Sequence, residues 1–386
     1  MIIPVANRLG NVEEYYFSKK LKEIKILNDK GANIINLGIG SPDLPPSPAT
    51  IEALNLCAQN EKSHGYQSYT GIPELRNAIS NWMEKTYNVS TNPENEILPL
   101  MGSKEGIMHI SMTFLNRGDK VLVPNPGYPT YSSVSNLVGA QMIHYDLDEN
   151  NNWAIDIEKL KTLPLNEVKL MWINFPNMPT GADYDFDTLK QLVDLAHQHK
   201  FLIINDNPYS LVLNPKPGSI FNIPGAKEVA IELNSLSKSH NMAGWRVGWL
   251  AGKSDYVNSV LRVKSNMDSG MFLGIQKAAV EAFNNTADWH KQQNEIYANR
   301  KKLVLEIFDY LGLSYNPNSV GMFVWGKIKN DAIDASELVD KILYDAGVFI
   351  TPGLIFGSNG NRYLRASLCA NENQIKEALV RIQSKL

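Results

Sequence analysis

Three things are scarce in this chain of 386 residues: cysteine, long apolar runs and an excess of charge of one sign. The two cysteines, Cys57 and Cys369, lie far apart with no CxxC or Cys/His spacing, which predicts free thiols, a reducing compartment and no structural metal. No apolar run approaches the roughly 18 residues of a membrane span. The opening stretch Met1-Ile2-Ile3-Pro4-Val5-Ala6-Asn7-Arg8 lacks a signal peptide's basic end followed by an apolar stretch. A soluble, cytoplasmic protein with no membrane partner is expected. A net charge of −3 provides no general basic field, so nucleic acid is not expected as a partner. Internal repeats, low-complexity tracts and long charge runs are also missing, so domain boundaries must come from changes of pattern.

The composition, 44% hydrophobic and 20% charged, is that of an ordinary globular protein, and the length is enough for two domains. Residues 13–29 carry Tyr16, Leu21, Ile24 and Leu27 at helical spacing and are closed by Gly31. A short strand over 34–40 follows. Four prolines then make 41–48 an extended loop. Helices are expected over 48–60 and 73–87, with the polar aromatic loop Gly65-Tyr66-Gln67-Ser68-Tyr69-Thr70-Gly71 between them.

Strand candidates recur at 120–124, 141–145, 169–175, 201–205, 229–233 and 247–251, separated by helices or loops. That rhythm predicts an α/β fold with a mostly parallel, doubly wound sheet, whose active residues gather at the strands' carboxyl ends. From about 255 to 311 the pattern is helical, with a long helix from 287 to 311. Beyond it lies a smaller α/β unit. We expect a small domain from both chain ends, 1–45 and 286–386, and a large domain over 46–285.

The stretch Ser235-Leu236-Ser237-Lys238 follows an apolar strand, with Arg246 eight residues after the lysine. A desolvated amine beside hydroxyls and a guanidinium suits imine chemistry on a phosphate-bearing aldehyde, although an ordinary loop lysine would look the same from this stretch alone. Gly102-Ser103-Lys104 lies between a strand and a helix start, where free amides can hold a phosphate. Asp206 ends the buried-looking run Phe201-Leu202-Ile203-Ile204-Asn205, so it should have a cationic partner.

Together, Ser235-x-Ser237-Lys238 with Arg246, Pro179-Thr180-Gly181, Asp206-x-x-Tyr209 and Arg365-x-Ser367 resemble the fold-type I pyridoxal-phosphate aminotransferases of class I/II over nearly the whole chain. The resemblance implies pyridoxal 5'-phosphate as cofactor, with an L-amino acid and a 2-oxo acid as substrates of a ping-pong reaction. Lys238 would be the Schiff-base lysine and proton-transfer acid and base. Asp206 would pair with the pyridinium nitrogen, Tyr209 would donate to the phenolic oxygen and Tyr128 would stack on the ring. Gly102, Ser103, Lys104, Ser235, Ser237 and Arg246 would hold the phosphate. Tyr66 would reach it from the neighbouring subunit, which implies a homodimer. Arg365 would hold the substrate carboxylate, with Gly40 nearby.

One position departs from the family pattern. The residue before Pro-Thr-Gly is commonly an asparagine that touches the phenolic oxygen, and here it is Met178. Either Asn177, one position earlier, takes over by a local shift or that hydrogen bond is absent. A carbon–sulfur β-lyase on the same fold is the alternative activity. A non-enzymatic regulator is a third reading, but it would need a DNA-binding module that the helix over 13–29 is too small to supply. The resemblance also bears on substrate: dicarboxylate-specific relatives bind the distal carboxylate with an arginine from about 265–270, which carries none here, so aspartate is less expected than a neutral, sulfur-containing, aromatic or diaminopimelate-type substrate.

Overall fold

Alternation between two apolar faces builds the larger sheet. In the strand Val168–Ile173, Met171 and Ile173 enter one core while Leu170 and Trp172 enter the other. Leu202–Asp206 repeats this, with Ile203 on one face and Ile204 on the other. Residues that alternate at period two and are apolar on both sides require cover on both sides, and helices supply it.

The structure is a computed structural model that describes residues 3–10, 12, 14–330 and 334–386. Its seven-stranded sheet runs, edge to edge, Ile97–Leu100, Gly248–Gly252, Ala230–Ser235, Leu202–Asp206, Val168–Ile173, Lys120–Asn125 and Gln141–Asp146. Only Gly248–Gly252 runs antiparallel to its neighbours. All six expected strands are therefore present, in the doubly wound arrangement the pattern implied. Glu232 lies at the centre of this sheet, and its buried carboxylate accepts from Asn205 Nδ2, Asn234 Nδ2 and the Ile220 amide at 2.9–3.0 Å.

Both chain ends share a second core. Phe17 and Ile24 from the helix Tyr16–Asp29 meet Phe308, Val324, Ile342, Leu364 and Ile382. Glu13, expected as the start of that helix, lies outside the described residues, as do Met1 and Ile2. A four-stranded antiparallel sheet orders Thr351–Pro352, Tyr363–Ser367, Phe323–Ile328 and Leu313–Tyr315, and Ile35–Asn36 pairs in parallel with Val348–Phe349. The strand expected over 34–40 is short because Asn36 Oδ1 accepts from the Gly38 and Ile39 amides at 3.0 and 3.1 Å, turning the backbone out of the ladder.

The long helix runs from Ala287 to Tyr310, capped by Thr286, whose side chain accepts from the Trp289 amide. Cys57 and Cys369 are free. Among the described residues, no helix is long and apolar enough to cross a membrane.

Candidate active site

The carboxyl ends of the parallel strands open into a cavity of about 660 Å³. Lys238 reaches it from the short helix Leu236–Ser239, which begins where the strand Ala230–Ser235 ends. Ser235 Oγ accepts from the Ser237 amide at 3.1 Å and caps that turn. Lys238 Nζ donates to the Gly40 carbonyl. Burial holds the ammonium below the ordinary lysine range; the Cys369 thiol opposes this, and the Arg365 and Arg246 charges reinforce it.

Asp206, at the end of its strand, is 4% exposed. The expected cationic partner is not a side chain: among the described residues Asp206 has no ion pair, and Tyr131 donates to Oδ2 at 2.9 Å. Its other oxygen, Oδ1, is buried without a partner, and the residue lines the cavity. Desolvation raises the carboxyl to about 6, with the Tyr131 bond opposing the shift. Tyr128 and Tyr209 line the same wall, and burial pushes the Tyr209 hydroxyl well above its usual range. Tyr131 is the residue the sequence reading missed. It stands one helical turn after Tyr128, rests edge-on to it at 5.6 Å and stacks on Trp172 at 5.0 Å. The i, i+3 spacing of the two tyrosines was the available signal.

A second corner is built from backbone. Gly102 precedes the helix Ser103–Phe114 with φ +91°, and a Cβ there would stand 2.1 Å from Arg246 Nη2. Arg246 itself has φ +57°, and its Nη1 donates to the Ala243 carbonyl at 2.8 Å and reaches Ser237 Oγ at 3.5 Å. The free first-turn amides, two serine hydroxyls and a guanidinium therefore converge, as an anion site requires. Lys104 lines the cavity with its ammonium 4.6 Å from the Tyr15 ring centre.

Arg365 faces these groups from the strand Tyr363–Ser367. Its guanidinium lies 3.9 Å from the Phe323 ring, 4.6 Å from Phe356 and 5.4 Å from Phe17. Nη2 donates to the Gly38 carbonyl at 2.6 Å, Nη1 meets only the Met178 thioether at 3.2 Å, and Nε is buried without a partner. Burial lowers the group to about 10, against the raising influence of Tyr209 and Tyr15.

Three expected residues stand apart from the cavity lining. Gly102 lies behind Arg246. Tyr66 is 92% exposed. Asn177 is buried in the Pro-Thr-Gly turn, where its Oδ1 accepts from the Thr180 amide and hydroxyl at 3.3 and 2.8 Å. Met178 and Asn174 line the cavity instead, and Asn174 accepts from the Met178 amide at 2.8 Å and donates to the Asp206 carbonyl at 2.5 Å.

The family model for class I and II aminotransferases matches residues 32–382. The chain belongs to this family. It is 36% identical to the LL-diaminopimelate aminotransferases of Dehalococcoides mccartyi and Aquifex aeolicus, over 98% of each chain. Among solved structures it is similar to substrate-bound BacF of Bacillus subtilis, with a TM-score of 0.94, 34% identity and coverage of 100% of this chain and 98% of that one. An aminotransferase of Staphylococcus aureus gives 0.89 at 26% identity, covering 98% of both chains. The protein is a pyridoxal-phosphate-dependent aminotransferase, and the comparisons do not favour the lyase alternative.

The donor set fits this family's cofactor. The orphaned Asp206 oxygen offers a place for a protonated ring nitrogen, the Gly102–Arg246 corner one for a phosphate, and Lys238 an amine within the same cavity.

Proposed function

We propose that this aminotransferase exchanges the amino groups of LL-diaminopimelate and 2-oxoglutarate, with Lys238 as its acid and base. The observation that carries the site assignment is that the Lys238 amine, the Asp206 carboxyl and the Arg365 guanidinium face one cavity, with Asp206 Oδ1 and Arg365 Nε unpartnered and Arg365 Nη1 meeting only a thioether. The donor itself is supported by the likeness to LL-diaminopimelate aminotransferases. Bound there, pyridoxal phosphate supplies an aldehyde that takes up the amino group and a ring that accepts electrons from the α-carbon.

The chain's residues divide the remaining work. Arg365 offers two donors to the α-carboxylate, and its aromatic cage excludes water from that contact. Lys238, its charged form disfavoured by burial, would accept the α-proton and return it to the cofactor's aldehyde-derived carbon, on the other side of the intervening nitrogen. Asp206 keeps a proton on the ring nitrogen through Oδ1. Tyr209 donates to the phenolic oxygen, and Tyr128 covers the ring. Ser235, Ser237, Arg246 and the amides of Gly102, Ser103 and Lys104 hold the phosphate, joined by Tyr66 of a second copy in a cytoplasmic homodimer. Asn177 Oδ1 serves the Thr180 turn, but its Nδ2 is buried without a partner and is the donor it offers the phenolic oxygen, whereas the Met178 side chain has no polar hydrogen to donate.

We also keep the expected domain division at 45/46 and 285/286, since the seven-stranded sheet lies within 97–252 and the smaller sheets use 35–36 and 313–367.

One observation favours a second donor class. Tyr15, Phe17, Phe323 and Phe356 line the cavity and suit an aromatic side chain. A panel of amino donors against 2-oxoglutarate and pyruvate separates the readings: faster turnover of phenylalanine or tyrosine than of LL-diaminopimelate would replace the first with the second. For the site itself, Lys238→Ala should abolish turnover and the visible band that borohydride traps. Unchanged absorbance and activity in that variant would overturn the lysine assignment.

A further inference from the structure

The extended loop after Gly40 has no regular structure of its own until Pro48 starts the next helix, and prolines at 42, 45 and 46 deprive it of amide donors. Its position must therefore be fixed by bonds to other elements. Several act on its first residues: Arg365 Nη2 and Thr351 Oγ1 donate to the Gly38 carbonyl, Ser367 Oγ to Ile39 and Lys238 Nζ to Gly40. Further along, Asn241 Nδ2 donates to the Pro45 carbonyl at 3.2 Å. Between these anchors lies one bidentate ion pair. Arg300 Nη1 and Nη2, from the long helix, meet Asp43 Oδ1 and Oδ2 at 2.6 and 2.8 Å.

Arg300 has no evident role in the chemistry described above. It is 3% exposed, and its Nε has no partner. Its Nη1 also donates to the Leu368 carbonyl at 3.1 Å, just past the strand that carries Arg365. The guanidinium thus joins the loop under which Lys238 sits to the strand that presents Arg365. If the loop moved away, a buried cation would lose its carboxylate, which is among the more destabilising changes a fold can suffer.

We propose that Arg300 and Asp43 are positioning residues for transamination: their ion pair sets the height of the Gly40 backbone over Lys238, and with it the fit of the substrate at Arg365. Neither touches the reacting atoms. The proposal rests on the assignment of Lys238 and Arg365 above, so its test includes a measurement of the loop alone.

Asp43→Asn in the holoenzyme keeps the shape and removes the charge, at a side chain one-third exposed. It should raise KM for the amino donor about tenfold while kcat stays within about twofold, because binding geometry suffers and the chemistry does not. Hydrogen exchange at the amides of residues 38–44 should accelerate, with the rest of the chain unchanged. Arg300→Lys, which keeps the charge but not the fork, should fall between wild type and Asp43→Asn.

Unaltered exchange over 38–44 in Asp43→Asn would overturn the proposal. So would a fall in kcat as large as the rise in KM, which would mark the pair as acting on the whole site and not on substrate fit. Faster exchange with an unchanged KM would show that the loop is held by the pair but that its height does not govern the substrate, and this also refutes the proposal. The loss of activity in Lys238→Ala tests the underlying assignment separately.

Discussion

Asp206 carries a desolvation cost that a protonated ring nitrogen at Oδ1 would offset. Its carboxyl is raised from 3.8 to about 6 by desolvation, so in the cofactor-free protein the native state holds this proton more tightly than the unfolded chain does. The contribution to stability is then unfavourable above the folded value, and it fades as pH falls towards the unfolded one. Asp206→Asn should therefore stabilise the cofactor-free protein at pH 7–8, by up to about 2 kcal/mol, with the gain vanishing near pH 4. The same substitution should lower kcat about 100-fold or more, since an amide cannot stabilise charge at the ring nitrogen. Thermal melts across pH and steady-state rates check the two halves. A stability gain independent of pH would show that the carboxyl is not the strained group. At this scale the sequence was informative at Asp206, which ends an apolar run, and at Lys238, in the loop that follows one, whereas Arg365 was picked out by the family motif. Tyr131 was not legible as a partner because its bond spans 75 positions. At the Pro-Thr-Gly turn Met178 lines the cavity while Asn177 Nδ2 is buried without a partner, an arrangement that spacing alone does not determine.

Among elements, the phosphate corner is the most exacting. Gly102, the helix it precedes and the left-handed Arg246 approach one another more closely than any side chain at 102 would allow. Gly102→Ala should displace Arg246 and weaken cofactor binding tenfold or more, which titration of the visible band reads directly; an unchanged dissociation constant would remove Arg246 from the phosphate site. The six expected strands of the large sheet, Gly248–Gly252 among them, were readable because each is a short apolar run bounded by turns, and the observed bounds fall within two residues of the expected ones. The strand over 34–40 was overestimated for a local reason, the Asn36 side chain competing with the ladder for amides. What periodicity could not reveal is how the loop over 41–48 is anchored, since the bonds to Asp43 and Pro45 come from distant segments.

For the whole molecule, the strongest remaining question is whether two copies share each site. Tyr66 is almost fully exposed in a single chain, and a tyrosine so placed is available to a neighbour. Lys238→Ala and Tyr66→Ala homodimers should both be impaired. Mixed, refolded or co-expressed, they should regain activity, because one of the two heterodimer sites would combine an intact Lys238 with an intact Tyr66 from its partner. Activity no higher than that of the parent variants would argue that each chain works alone. The fold class and the pairing of the two chain ends were legible from the order of patterns, and the family motifs extended that reading to the cofactor. The aromatic enclosure of Arg365 was not, because Phe17, Phe323 and Phe356 lie on three separate elements.

The division of labour along the chain also has a temporal side. Every residue proposed for the cofactor, from Tyr66 to Arg246, leaves the ribosome well before Arg365 is made. The Gly38 carbonyl, translated early, must wait for that late arginine to bond it. A chain cut short between the two would carry a cofactor cradle with no clamp for the amino acid's carboxylate.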